Sequence, residues 1–188
     1  MAGADAEVAI WNPDGSRAEM SGNATRIAGR WLSAQAGVPE VTVRVGPRVT
    51  TTRVSGGRVE QSLGRVEVGA PERLEGIEFV PVSVGNPHAV VEGDPADLVR
   101  IGPLLERHAR FPEGTNVQVA RIDAPGHVTA RVWERGVGET RSSGTSAVAV
   151  AAATHGRGTV EVTFPGGTLT VRLEDGEAFL TGPAEGIG

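Results

Sequence analysis

The chain has 188 residues, 22% of them charged and 39% hydrophobic, with a formal net charge of −5. That composition fits a globular protein of one domain or of two small lobes sharing a core. Cys is 0 and Lys is absent, so all 18 basic residues are Arg, which excludes disulfides, zinc–thiolate and iron–sulfur sites, a thiol nucleophile, a Lys Schiff base and a Walker P-loop.

Two partner classes are set aside on the same grounds. Arg residues scattered under a net negative charge argue against nucleic acid. The absence of a membrane-length apolar run or a signal-peptide layout argues against a membrane partner and makes a cytoplasmic location the default. The four histidines, His88, His108, His127 and His155, show no metal-ligand spacing, so no metal site is expected.

In chain order, residues 23–35 read as a helix with Ile27, Trp31 and Ala34 on one face, stopped by Gly37. Residues 41–45 alternate apolar and polar side chains as a half-buried strand does. Residues 77–84 and 89–91 are further strand candidates. Residues 95–109 carry Leu98, Ile101, Leu104 and Leu105 behind an Asp94 N-cap, and Gly102-Pro103 is expected to break or kink that helix. Strands follow at 117–122 and 128–133. Residues 145–154 are almost wholly Ala and Val, and a helix apolar on every side is expected to be buried all round. Residues 160–164 and 169–173 read as strands.

An internal repeat organises these elements. Trp11 and Trp133 each end a strand, and Ser21-Gly22 and Ser143-Gly144 each open a helix. Both pairs are 122 positions apart (133 minus 11, 143 minus 21). Each helix is followed by a Gly and then a strand. The expected fold is α/β of the α+β kind. It has two lobes related by a pseudo-twofold, each a mostly antiparallel sheet around a central helix. The lobes are expected at 1–76, completed by 177–188, and at 77–176.

A helix N-terminus presents unpaired N–H groups and attracts carboxylate or phosphate. Two such tips, each with a side chain reaching the ligand, suit exchange of a proton between two faces of one carbon. Ser21 and Ser143 also suit simple capping. Glu134-Arg135, directly after a strand, could hold an amino group and a carboxylate together, or be a surface ion pair worth little. Asn86 and Asn116 sit in Gly-containing turns that Asn favours for conformational reasons. His88 reads equally as a hydrogen-bonded structural residue.

At this point the sequence resembles the diaminopimelate epimerases over nearly its whole length. Asn12-Pro13-Asp14-Gly15-Ser16 to Met20-Ser21-Gly22-Asn23-Ala24-Thr25-Arg26 is similar to the family's first catalytic motif, and Val84-Gly85-Asn86-Pro87-His88 to its central one. Gly102-Pro103-Leu104-Leu105-Glu106 to Phe111-Pro112 and Thr115-Asn116 fit the next. Trp133-Glu134-Arg135-Gly136 to Gly138-Glu139-Thr140 and Ser143-Gly144-Thr145 resemble the second catalytic motif. Phe164-Pro165-Gly166-Gly167 and Thr181-Gly182 match near the end.

The resemblance implies a cofactor-independent, metal-free interconversion of LL- and meso-diaminopimelate for lysine and cell-wall precursors. The partner would be a small amino-acid substrate, and a homodimer is left open. The family's two catalytic Cys correspond to Ser21 and Ser143. His88 and Glu134 correspond to polar groups that tune them. Substrate binding is implied for Asn12, Gly22, Asn23, Asn86, Asn116, Glu134, Arg135, Gly144 and Thr145.

Two departures shape the expectations. A thiol titrates near ~8.5, whereas an alkanol is far weaker, so a Ser at either position needs a separate base. A related isomerase, racemase or dehydratase using Glu134 or His88 as base is one alternative; a non-catalytic anion- or amino-acid-binding homologue is the other. Family members also carry a Gly-Leu-Gly-Asn-Asp-Phe-like segment before the first motif, which nothing before Val8 matches. The first lobe is therefore expected to lack strands, leaving an edge exposed and its helix incompletely covered. A fragment or a late start is the favoured explanation, and a minimal lobe completed by a partner is the other.

Overall fold

The structure, a computed structural model, describes residues 4–9, 11, 22–46 and 48–183. The chain divides into two compact units, Met1–Leu63 with Phe179–Gly188, and Gly64–Ala178.

In the first unit, β1 (Ala4–Glu7) runs parallel to β2 (Glu40–Val45), and the helix α1 (Gly22–Ala36) lies between them in sequence. β2 turns back on β3 (Arg48–Ser55), and β3 on β4 (Arg58–Arg65), both antiparallel. The alternation at 41–45 is borne out, with Val41, Val43 and Val45 buried beside Val59.

The helix is present where its pattern predicts, and Gly37 ends it with φ +67°. The face that carries Ile27 and Trp31 is the exposed one. Ile27 is 44% exposed and Trp31 62%, whereas Thr25, Arg26 and Ser33 are buried. Gly29 accounts for this. A Cβ there would lie 2.4 Å from Thr52 Oγ1, so the bare Gly29 side rests on β3 and the apolar side faces away. Ser33 Oγ donates to Val38 O at 2.6 Å and ties the helix end to the following turn.

The second unit repeats the plan. β10 (His127–Glu134) runs parallel to β12 (Gly158–Phe164), and α3 (Gly144–Thr154) lies between them in sequence. β12 turns back antiparallel on β13 (Gly167–Glu174). Both units thus hold a parallel pair bridged by a helix and then a hairpin, and α1 and α3 open on Gly22 and Gly144, the repeated positions. From β13 the sheet continues through β12, β10, β9 (Asn116–Ala124), β8 (Pro87–Glu92), β7 (Ile77–Ser83) and β5 (Glu67–Val68). The short β6 (Glu72–Leu74) pairs with β7, and β11 (Gly138–Thr140) with β10. The last strand, β14 (Glu177–Pro183), follows β13 through a turn at Asp175, where φ is +53°.

The helix α3 packs against β7, β8, β9, β10, β12 and β13, and every side chain from Ser146 to Ala152 is buried, as its uniform apolarity requires. On the other side of β9 lies α2 (Leu98–Glu106). Leu98, Ile101 and Leu105 form a core with Phe79, Ala89, Val91, Val117 and Val119. Successive side chains of a strand point to opposite faces, so Val117 and Val119 meet α2 while Gln118 meets α3.

Asp94 caps the preceding 3-10 turn, Pro95–Asp97, through Ala96 N at 2.9 Å. Of the break or kink expected at Gly102-Pro103, the break does not occur, and α2 runs through it. Trp133 supplies the reason. A Cβ on Gly102 would lie 2.8 Å from the indole Cγ, so the ring packs directly on the helix backbone and holds it across the hydrogen bond that Pro103 cannot make.

Candidate active site

Ser143 is the N-cap residue of α3, with extended backbone (φ −146°, ψ 129°), and its carbonyl accepts from Ala147 N at 3.0 Å. Its side chain makes no capping bond and is nearly buried, at 8% exposure for the residue. The N–H groups of Gly144 and Thr145 in the first turn therefore stay oriented for an anion. The preceding loop is held by the turn between β12 and β13. Gly166 N donates to Arg141 O at 2.7 Å, and a Cβ on Gly166 would lie 2.8 Å from that oxygen.

Glu134 ends β10 and accepts a hydrogen bond from the Thr140 hydroxyl on β11. The next residues form a tight turn, closed by Val137 N donating to Glu134 O at 3.0 Å, with Gly136 at φ +75°. Arg135 N donates to Asn116 Oδ1 at 3.0 Å, and Asn116 Nδ2 donates to Pro87 O at 2.9 Å. Asn116 thereby ties the Glu134-Arg135 turn to the Gly-Asn-Pro-His segment.

Pro87 and His88 do not lie in a loop, since they begin β8. The His88 ring is buried and bonded at both nitrogens, 3.0 Å from Asn86 Oδ1 through Nε2 and 3.0 Å from Gln118 Nε2 through Nδ1. An amide nitrogen only donates, so Nδ1 accepts and Nε2 carries the hydrogen given to Asn86. Burial pushes the imidazole pKa down to about 3, and the Arg135 charge acts in the same direction. His88 is thus neutral. It holds the Asn86 carbonyl, which leaves the Asn86 NH₂ for other contacts. Gln118 also donates to Ser146 Oγ at 3.0 Å, joining β9 to the first turn of α3. An open groove of about 550 Å³ lies beside Asn86 and His88, lined also by Pro81, Ser83, Arg110 and Phe111.

In the second unit Arg135 is thus hydrogen-bonded to Asn116 and Asn116 to Pro87, whose chain neighbours Asn86 and His88 are bonded to each other, with Glu134 next to Arg135 in sequence. Ser143, Gly144 and Thr145 form the helix tip. In the first unit Gly22 and Asn23 open α1, while Asn12 and Ser21 lie outside the described residues. Among the described residues no cluster of acids and histidines has the makings of a metal site, and no helix is long and apolar enough to cross a membrane.

The family profile described as Diaminopimelate epimerase matches residues 80–187. The diaminopimelate epimerase of Xanthomonas campestris is 36% identical over 204 residues, covering 93% of this chain and 72% of its own. That of Desulforudis audaxviator is 38% identical over 218 residues, covering 99% and 78%. The chain belongs to the diaminopimelate epimerase family. By family it is an amino-acid epimerase, an isomerase.

Solved structures agree on the diaminopimelate epimerase-like fold. A hydroxyproline epimerase from Agrobacterium vitis superposes with TM-score 0.72 at 20% identity, covering 98% of this chain and 69% of its own. A phenazine biosynthesis protein of Bacillus anthracis gives 0.67 at 12%, covering 94% and 77%.

Three residues of the site escaped the sequence reading, namely Gln118, Thr140 and Glu106. Gln118 is a polar residue between Val117 and Val119 in an apolar strand, and Glu106 and Thr140 stand within the motifs quoted above, which assigned them no role. Glu106 is the last residue of α2. It is 6% exposed and accepts from Trp133 Nε1 at 2.8 Å and Gly136 N at 2.7 Å.

Proposed function

We propose that this family member moves the α-proton of a diaminopimelate-type amino acid, with Glu134 as the working base and Arg135 and the α3 tip receiving the carboxylate. The observation that carries the reading is Ser143, whose hydroxyl stands at a helix N-terminus without serving as its cap. In this reading the Ser143 hydroxyl and the free amides of α3 hydrogen-bond the substrate carboxylate as negative charge spreads onto it from the α-carbon.

The base must come from elsewhere, because an alkoxide is essentially absent at neutral pH. His88 is a poor candidate, with both nitrogens engaged and its pKa near 3. Glu134 has the chemistry for the task. Its carboxylate takes the proton and the C–H electron pair stays on carbon, delocalised into the carboxylate. A proton from water, relayed through a hydroxyl that regains one as it gives one up and so leaves no alkoxide, reaches the opposite face and inverts the centre; Ser21 is the position that the motif assigns to that relay. The reading invokes no cofactor.

The test is α-proton exchange and stereochemical inversion of LL- and meso-diaminopimelate in D₂O. Exchange that disappears in Glu134→Gln supports the assignment, and exchange unchanged in that variant rejects Glu134 as base. Calorimetric binding without exchange would mark a non-catalytic homologue. The Ser21→Cys, Ser143→Cys double variant is expected to gain epimerisation if the rest of the site is intact.

A further inference from the structure

The Gly102 to Pro112 motif has no part in the chemistry above, yet it supplies Glu106, whose carboxylate is buried beneath the Glu134-Arg135 turn. One oxygen accepts the indole N–H of Trp133 at 2.8 Å and the other the amide of Gly136 at 2.7 Å. These donors flank Glu134 and Arg135 in sequence, so a single carboxylate from α2 grips both ends of the dipeptide. Among the described residues its ion-pair partner is Arg107, with Nε 3.9 Å away on a side chain 85% exposed. Burying a carboxylate so weakly paired is costly, and packing alone would be served by an apolar residue.

The surroundings fit the same purpose. The Glu106 carbonyl accepts from Thr115 N at 3.3 Å. Gly114, with φ +76°, has no side chain to obstruct the Arg135 stem, since a Cβ would lie 3.1 Å from Arg135 Cγ. Glu106 and Asn116 thus hold the turn by the amides of Gly136 and Arg135, and Gly114 leaves room for the Arg135 stem.

We infer that Glu106 is a positioning residue, whose two-oxygen grip on Trp133 and Gly136 sets the direction in which Glu134 and Arg135 meet the substrate. The inference rests on the reading of Glu134 and Arg135 given above. Glu106→Gln is nearly isosteric but offers one acceptor where two donors converge.

The test follows backbone and indole N–H resonances of the full chain during titration with meso-diaminopimelate. In the wild type the Gly136 amide and Trp133 indole signals are expected to shift on binding, which a carboxylate serving only to stabilise the fold would not produce. In Glu106→Gln these shifts shrink, affinity falls about tenfold or more, and hydrogen exchange at Gly136 quickens about tenfold or more beyond any change at the Gly166 amide. Unchanged affinity and unchanged Gly136 exchange in a folded Glu106→Gln protein would overturn the inference. So would a loss of protection at Gly136 no greater than the loss spread through the rest of the second unit.

If the wild type binds no diaminopimelate, the substrate reading fails by itself. Gly136 exchange then decides the grip, with local quickening upholding it and its absence ending it. If Glu106→Gln does not fold, the wild type answers, because an unprotected Gly136 amide would rule the grip out.

Discussion

The side-chain amide of Gln118 donates to Nδ1 of His88 across 3.0 Å. That bond fixes the hydrogen of the buried ring on Nε2, and Nε2 in turn engages Asn86 Oδ1. A histidine in the Gly-Asn-Pro-His segment invites a role as base. Here it is the neutral hinge of a chain from Ser146 on α3 through Gln118 to Asn86.

A pH dependence follows from His88. Its ring stays neutral in the folded protein down to about pH 3, while in the unfolded chain it takes up a proton near pH 6.5. Its contribution is therefore most favourable to folding above pH 6.5 and is lost progressively as pH falls toward 3. The slope approaches about 1.4 kcal/mol per pH unit, the limit for one proton. Urea denaturation at several pH values should show this slope in the wild type and a shallower one in His88→Gln. Equal slopes would mean that the ring is protonated in the folded state.

Glu106 contributes over a different window. Burial opposes its ionisation, but the Gly136 amide, the Trp133 indole and Arg107 outweigh that, and its pKa is held below the ordinary value. Its stabilisation is present above the unfolded value of about 4.3 and lost as pH falls through the lower folded one. At neutral pH, Glu106→Gln should destabilise the fold by about 1–3 kcal/mol, the cost of leaving a buried donor short of its acceptor. Chemical denaturation would read the difference, and its disappearance in acid would separate it from that of His88.

Ser143 offers a test of capping against chemistry. Replacing a Ser that caps a helix by Ala costs typically ~1 kcal/mol. Because Ser143 makes no side-chain cap bond, Ser143→Ala should cost less than about 0.5 kcal/mol in thermal unfolding. A loss of ~1 kcal/mol or more would show that the hydroxyl is spent on the helix.

Gly102 probes the contact that carries α2 past Pro103. Ala is the better helix former by about 1 kcal/mol, so propensity alone predicts a more stable Gly102→Ala. Its Cβ would sit 2.8 Å from the Trp133 ring, and overpacking of that kind costs about 1–3 kcal/mol. We expect net destabilisation and a change in tryptophan emission. A stabilised variant would show that the ring can yield.

The sequence by itself determined what depends on local pattern. Alternating valines placed β2, a helix of Ala and Val had to be central, and Asp94 capped the turn before α2. The repeated Ser-Gly starts showed that one strand–helix–strand plan is used twice, because hydrophobic period and end signals act over a few residues. Tertiary structure decided what depends on distant partners. The outward turn of Ile27 and Trp31 followed from the fit of Gly29 against Thr52 on β3. The continuity of α2 followed from Trp133, far along the chain. The roles of Glu106 and Gln118 came from hydrogen bonds to residues about thirty positions away. A buried carboxylate or amide takes its meaning from the donors and acceptors that meet it, and no local pattern encodes those.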